Sequence, residues 1–154
     1  GDLSILLIID NYTGYTVLVP TFGQTADDVI RGIWNNWRPI HGLPRQVLTD
    51  RGSGFISELN LKFYKLFGIK KLFTSGYHAQ TNSKAERKVQ EVKKAYRLVN
   101  ITLDNEITDK NNKKLAVNEI ILLAPSIQFQ LNQRLSTISN LSANMLLFGK
   151  NMND

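Results

Sequence analysis

The alternation of short β-rich runs with helical segments is the feature that most narrows the fold of this chain. Two β-rich runs, "LSILLIID" (3–10) and "YTVLVP" (15–20), are separated by "NYTG", whose Asn, Thr and Gly predict a hairpin turn. Further β-rich runs at 46–49 and 69–73 are separated by a helical segment. Early strands joined by a turn and later strands joined through helices predict an α/β fold, with a mixed sheet flanked by helices.

Four segments have the apolar spacing that predicts helices. The first, "TADDVIRGIWNNW" (25–37), carries two Asp residues near its start and an apolar stripe that includes both tryptophans. The others lie at 57–68, 83–99 and 115–132. The last is predicted to be interrupted near Pro125, because proline lacks the N–H that a helix interior uses.

Length and composition indicate one domain, covering residues 1–154. The chain is 42% apolar, has no cysteine and contains no apolar run long enough to cross a membrane. Disulfides, thiolate zinc sites and a membrane partner are therefore not expected. Two polar stretches predict a surface loop at 74–82 and a mobile connection at about 100–114. The chain begins at Gly1 almost inside a strand, which predicts an N-terminally truncated domain.

The positive charge is concentrated in one part of the chain. The whole chain has a net charge of +6, but residues 62–97 hold ten Lys and Arg against two acids. Such a block favours a polyanionic partner, most commonly nucleic acid. A solvated helix face is the equally open alternative.

Two carboxylates are placed where they could meet. Asp50 follows the predicted strand at 46–49, and Glu86 lies in the first turn of the predicted helix at 83–99, with 35 residues between them. A helix between two strands returns the chain beside its start. Two carboxylates at ~4 Å would repel by roughly 4 kcal/mol at an effective dielectric of 20, and a hard divalent cation would remove that repulsion. Taken singly, each acid also fits a structural role, as a turn Asp and an N-terminal helix Glu.

Four motifs around these acids resemble the D,D-35-E family of retroviral-type integrases, especially those of gypsy-type long-terminal-repeat retrotransposons. "HGLPRQVLTDRGSGFISEL" is similar to the family's G-L-P-x-x-(I/V)-x-(S/T)-D-R-G-x-x-F, and "YHAQTNSKAER" to its Y-H-P-Q-T-N-G-x-x-E-R. "LLIIDNYTGY" and "LSANMLLFGK" resemble its second-strand and terminal motifs. The motifs stand in the family's order and span nearly the whole chain.

The resemblance implies an RNase H-like fold and metal-dependent polynucleotidyl transfer for DNA integration. Its cofactors would be Mg²⁺ or Mn²⁺ in a two-metal site, with Asp50 and Glu86 as catalytic metal ligands. Its partners would be the DNA ends of the element and a target duplex, bound by a homo-oligomer acting in the nucleus. The family's first catalytic Asp lies on a strand upstream of "ILLII", so the first strand of the fold is expected to be missing from this chain.

Asp10 is a further candidate for the third catalytic acid. It aligns with a different aspartate of the family, at the end of the second strand. The alternative is that its side chain caps the "NYTG" turn.

Polar and basic residues flank the two acids and are candidate DNA contacts. Loop donors could contact a strand end, a tyrosine could stack on a base, and helix cations could neutralise phosphates. These candidates are Arg51, Tyr77, His78, Gln80, Asn82, Lys84, Arg87 and Lys88.

Two other functions stay open at this point. One is a non-catalytic DNA-binding or interaction domain derived from such an element. The other is an unrelated nuclease of the RNase H fold, which the loop motif at 77–87 disfavours.

Overall fold

The computed structural model describes residues 3–73, 79–106, 117–134 and 141–148, of which 79–83 and 99–106 are described by their backbone only. The chain folds into two compact units. The first combines Gly1–Ile8 with Val19–Ser83, and the second combines Ile9–Leu18 with Lys84–Asp154. In the part of the chain that is described, no helix has both the length and the apolarity that crossing a membrane requires.

The four predicted strands form close to their expected positions. They are β1 (Ser4–Ile9), β2 (Thr16–Thr21), β3 (Gln46–Thr49) and β4 (Lys70–Phe73). β1 pairs with β2, and β3 pairs in parallel with β4. Within the described residues the strands thus form two two-stranded sheets rather than one continuous mixed sheet, because no described strand joins the two pairs.

The first helical region has clear start and stop signals. Helix α1 (Ala26–Gly32) begins at a capping box, in which the Thr25 side chain and Asp28 bond each other's backbone N–H. The chain continues as a π-helical turn (Ile33–Trp37) and helix α2 (Arg38–His41). It stops at Gly42, whose φ of 73° suits glycine. Helical structure therefore extends four residues beyond the predicted end.

Unit 1 is built around α1 and the helix that precedes β4. After the single turn α3 (Ser53–Ile56), helix α4 (Glu58–Leu66) places Tyr64 in a core with Val29, Ile33 and Ile69. Partly buried side chains of β1 and β3 pack against this core. The apolar stripe predicted for the first helix is the side that is buried.

Helix α5 (Ala79–Glu106) is longer than predicted in both directions. Residues 79–82, expected in a loop, and 100–106, expected in a mobile connection, are helical. The Asn, Thr and Asp residues there each cost only about 0.7 kcal/mol or less in a helix, so an established helix propagates through them. Residues 74–78 and 107–114 of those two predicted segments lie outside the described residues.

Helix α6 (Val117–Gln133) is continuous through Pro125, so the predicted interruption is wrong. Proline removes only one intrahelical hydrogen bond, and packing offsets this loss because the same helix buries Ala124, Ile127 and Leu131. The short helix α7 (Ala143–Phe148) follows, and its Phe148 ring meets the Tyr15 ring edge-on at 5.6 Å.

Two side-chain amides of α6 cover an edge of β2 inside unit 2. The Asn132 amide accepts from the Thr16 N–H at 2.9 Å and donates to the Thr16 C=O at 2.8 Å. One helical turn earlier, the Gln128 carbonyl accepts from the Leu18 N–H at 3.0 Å. Four helical residues rise about 6 Å and two strand residues about 6.6 Å, so the two spacings match. These amides occupy the place of a neighbouring strand.

Replacing Asn132 with Leu should lower the free energy of unfolding by about 2–5 kcal/mol. Thr16 is 0% exposed and Asn132 only 2%, so the change leaves a buried N–H and C=O without partners. Urea unfolding followed by circular dichroism measures this, with Arg134→Ala on the exposed side of the helix end as the matched control. Equal stability of the two variants would contradict the role given to Asn132.

Candidate active site at the Asp50 strand end

Asp50 lies directly after β3, at the carboxyl end of the parallel pair. The pairing sets Thr49 opposite Phe73, so Asp50 leaves the sheet beside the end of β4. Its Oδ1 accepts a hydrogen bond from the Gly52 N–H at 2.8 Å, and the residue is exposed. This turn orients the carboxylate while leaving its other oxygen free of that bond.

The two glycines that follow Asp50 both lie close to other atoms, and at Gly54 the approach leaves no room for a Cβ. A Cβ on Gly54 would overlap the backbone of Gln24, and a Cβ on Gly52 would lie 3.0 Å from the Asp50 Oδ1. Gly54 therefore lets α3 pack against the chain entering α1. Gly52 leaves room for the Asp50 carboxylate to bond the backbone.

Arg51 points its guanidinium at the Phe73 ring, 4.8 Å from the ring centroid. The contact is a cation–π interaction with the residue that ends β4. Arg51 is exposed and next to Asp50 in sequence, so a cation and a carboxylate follow each other directly at this strand end.

Lys71 is the site residue that sequence reasoning missed. Its ammonium donates to the Thr49 hydroxyl and, at 3.2 Å, to the Leu72 carbonyl. Burial lowers the pKa of Lys71 to about 8, while the nearby Asp50 carboxylate opposes this shift. Nothing in the run "GIKKLF" distinguishes Lys71 from its exposed neighbour Lys70, except that alternate strand residues face opposite sides.

In unit 2, basic residues of α5 face the turn after β1. A cleft of about 180 Å³ is lined by Lys84, Arg87 and Lys88, together with the turn residues that include Asp10 and Gly14. Lys88 pairs with Glu91 at 3.3 Å. The cleft is therefore rich in cations but partly neutralised.

The Asp10 side chain caps the turn after β1, as one of its two predicted interpretations states. Its Oδ2 accepts from the Thr13 N–H at 2.9 Å and from the Thr13 hydroxyl at 2.6 Å. Gly14 closes the same turn with a φ of 76° and a bond to the Asp10 carbonyl. A role for Asp10 in metal binding stays a prediction.

Asp50 belongs to unit 1 and Glu86 to unit 2. Glu86 is exposed on α5, eight residues into the helix rather than in its first turn. That the two carboxyl groups share a cation stays a prediction. Among the other candidates, Tyr77 and His78 fall outside the described residues. Gln80 and Asn82 belong to helix α5, where only their backbone is described.

The donor chemistry of Asp50 fits a hard divalent ion. An exposed carboxylate held by one backbone N–H keeps oxygen lone pairs of the kind that Mg²⁺ and Mn²⁺ prefer. Among the residues whose placement is described, no group of three His, Cys, Asp or Glu side chains is gathered into a metal-binding cluster. The described residues thus offer the single carboxylate of Asp50 at this strand end, without a cluster of three such side chains.

Sequence comparison relates the chain to the Pol proteins of retroelements. It is 27% identical over 153 residues to the Pro-Pol polyprotein of simian foamy virus type 1, which covers 99% of this chain and 12% of that protein. It is 30% identical over 70 residues to gypsy retrotransposon integrase-like protein 1 of Macaca fascicularis, covering 46% of this chain and 13% of that protein. The chain spans about an eighth of the length of these curated relatives. No protein-family model matches it.

Structural comparison confirms the predicted fold class. The catalytic core domain of HTLV-2 integrase, solved in complex with magnesium in a trimeric form, matches with a TM-score of 0.65 at 16% identity, over 93% of this chain and 90% of that one. The simian T-cell lymphotropic virus intasome, solved in complex with a PP2A regulatory subunit, matches with a TM-score of 0.68 at 13% identity, over 95% and 52%. The chain has the RNase H-like fold of integrase catalytic cores.

Because its pKa is lowered, Lys71 should make the free energy of unfolding of the wild type depend on pH. The folded chain releases this proton near pH 8, whereas the unfolded chain keeps it up to about the ordinary value of 10.5. Because the unfolded state then binds more protons between these two pH values, the free energy of unfolding should rise with pH more in the wild type than in Lys71→Met. Urea unfolding at pH 7 and pH 9.5 measures this, with Lys70→Met as control. Parallel pH profiles for wild type and Lys71→Met would disprove it.

Proposed function

We propose that this chain is the catalytic-core part of an integrase, which joins DNA ends to a target duplex by metal-dependent polynucleotidyl transfer. The observation that carries the proposal is the exposed Asp50 carboxylate, held at the carboxyl end of a parallel strand in a chain similar to Pol polyproteins over 99% of its length. The proposed activity is that of a whole integrase, and this chain spans about an eighth of the length of the curated relatives it matches.

Asp50 and Glu86 are the proposed ligands of Mg²⁺ or Mn²⁺. The magnesium in the HTLV-2 core supports this assignment, as does the hard oxygen donor that Asp50 offers. A bound divalent ion would supply Lewis-acid activation of a phosphate oxygen. The chain's own contribution is to orient the carboxylates and to neutralise phosphate charge around them.

DNA is the proposed partner, both as element ends and as target duplex. Lys84, Arg87 and Lys88 line one cleft on α5, and Arg51 lies beside Asp50. These cations suit phosphate contacts, which position a duplex without reading its sequence. The further candidates Tyr77, His78, Gln80 and Asn82 are proposed from the sequence motif. Self-association and action in the nucleus are proposed with the integrase function, the first supported by the trimeric HTLV-2 core.

A non-catalytic DNA-binding domain is the second candidate. It is favoured by one observation. The described residues gather no cluster of three His, Cys, Asp or Glu side chains, whereas three cations of α5 line one cleft. The two functions differ in whether chemistry accompanies DNA binding.

DNA binding should survive the loss of the Asp50 charge. Asn at position 50 can still accept the Gly52 N–H, and the α5 cations are unchanged, so the affinity of Asp50→Asn for duplex DNA should stay within about twofold of wild type. Fluorescence anisotropy over a salt series measures this. The double variant Lys84→Gln/Arg87→Gln is the comparison, and its salt slope should fall by about two if each residue contacts one phosphate. A DNA affinity that disappears with the carboxylate alone would contradict the phosphate-based interface.

Residues 1–154 alone should show no strand transfer in Mn²⁺. Two ions bridged at roughly 3.5–4 Å need a further anionic ligand besides Asp50 and Glu86, and the described residues gather no cluster of three such ligands. A strand-transfer assay with labelled duplex ends measures this, and Asp50→Asn gives the background level. Strong activity of the unchanged chain would contradict the prediction, and loss of that activity in Asp10→Asn would identify Asp10 as the further ligand.

A further inference from the structure

Lys71 places a fixed positive charge at the strand end that carries Asp50. Its ammonium donates to the Thr49 hydroxyl, and that hydroxyl donates to the Asp50 carbonyl at 2.8 Å. The ammonium is therefore linked to the backbone of Asp50 through one side chain. The same charge interacts favourably with the Asp50 carboxylate.

Aromatic rings keep this ammonium from swinging into solvent. Its nitrogen lies 4.4 Å from the ring centroid of Phe73, 5.6 Å from that of Tyr64 and 5.9 Å from that of Phe55. A lysine normally extends its flexible stem so that the charge is hydrated. Here three rings and two hydrogen bonds hold it inward, so the charge acts at a constant position.

We propose that Lys71 is a positioning residue that acts as a built-in cation at Asp50, orienting this strand end and opposing the binding of a divalent ion there. The inference rests on the proposed metal-binding function of Asp50. A single charge that attracts the carboxylate repels an added cation by the same Coulomb law, and this effect grows as the surroundings become less hydrated. Lys71 thus sets the affinity for the ion rather than contacting DNA or the reacting atoms.

The effect of Lys71 on ion binding can be tested directly, because binding of Mn²⁺ to this chain can be measured without catalysis. Isothermal titration with Mn²⁺ at pH 7.0, where the ammonium is mostly protonated, compares wild type with Lys71→Met and Lys71→Gln. Removal of the charge should tighten Mn²⁺ binding by about three- to tenfold. Lys71→Gln keeps a polar group, so it serves where the methionine variant folds poorly.

Three controls separate charge from structure. Lys71→Arg keeps the charge and should stay within about twofold of wild type. Lys70→Met removes a neighbouring but exposed charge on the same strand and should change affinity little. Adding Asp50→Asn to Lys71→Met should abolish the gain, which assigns the tightened binding to Asp50.

Other outcomes overturn the inference in distinguishable ways. If wild type binds Mn²⁺ at Asp50 and Lys71→Met binds it equally or more weakly, the built-in cation is refuted while the proposed function stands. If Lys71→Met instead loses DNA affinity and salt slope at unchanged Mn²⁺ affinity, Lys71 is a phosphate contact. If neither protein binds Mn²⁺, the metal-binding part of the proposed function fails, and the inference fails with it.

Discussion

A strand edge has to be covered, and in this protein two side-chain amides cover it. Asn132 and Gln128 bond to the backbone of Thr16 and Leu18, so α6 is attached to β2 by directional bonds rather than by apolar contact alone. The Tyr96 hydroxyl then donates to the Ile120 carbonyl at 2.9 Å and attaches α5 to α6. Since Glu86 lies on α5, its position within unit 2 depends on this series of contacts.

Asp50 is held by a different and more local arrangement. The parallel pairing of β3 with β4 places the end of β3 beside the end of β4. The Gly52 N–H then orients the Asp50 carboxylate by donating a hydrogen bond to it. Gly54 allows α3 to pack closely against the backbone that precedes α1, and this packing holds the turn after Asp50 in place. Backbone hydrogen bonds and close packing tolerate little displacement, so the Asp50 carboxylate is held in one orientation.

Local signals in the sequence were enough to predict some of these features. The strand at 46–49 followed by Asp50, the Thr25 cap and the turn cap at Asp10 each involve residues within about four positions of one another, and all three form as expected. The edge bonds from Asn132 to Thr16 join residues 116 positions apart, and no local pattern indicates such a contact. The inward position of Lys71 is equally non-local, because it depends on rings contributed by α3, α4 and β4. The length of α5 was underestimated because propensity is weak evidence against an established helix.

The positive charge that the sequence concentrates between 62 and 97 is divided by the fold into groups with different roles. Lys62 pairs with Glu58 at 2.6 Å and Lys88 with Glu91 at 3.3 Å, so part of the excess is neutralised within single helices. Lys71 turns inward to Asp50, whereas the exposed cations of α5 belong to unit 2. The cations of α5 that are proposed to contact phosphate are therefore different residues from Lys71, whose charge lies beside Asp50. Under the proposed function, a change at Asp50 would affect ion binding and leave the α5 cations in place, so strand transfer in Mn²⁺, and not DNA affinity, distinguishes an integrase core from a derived binding domain.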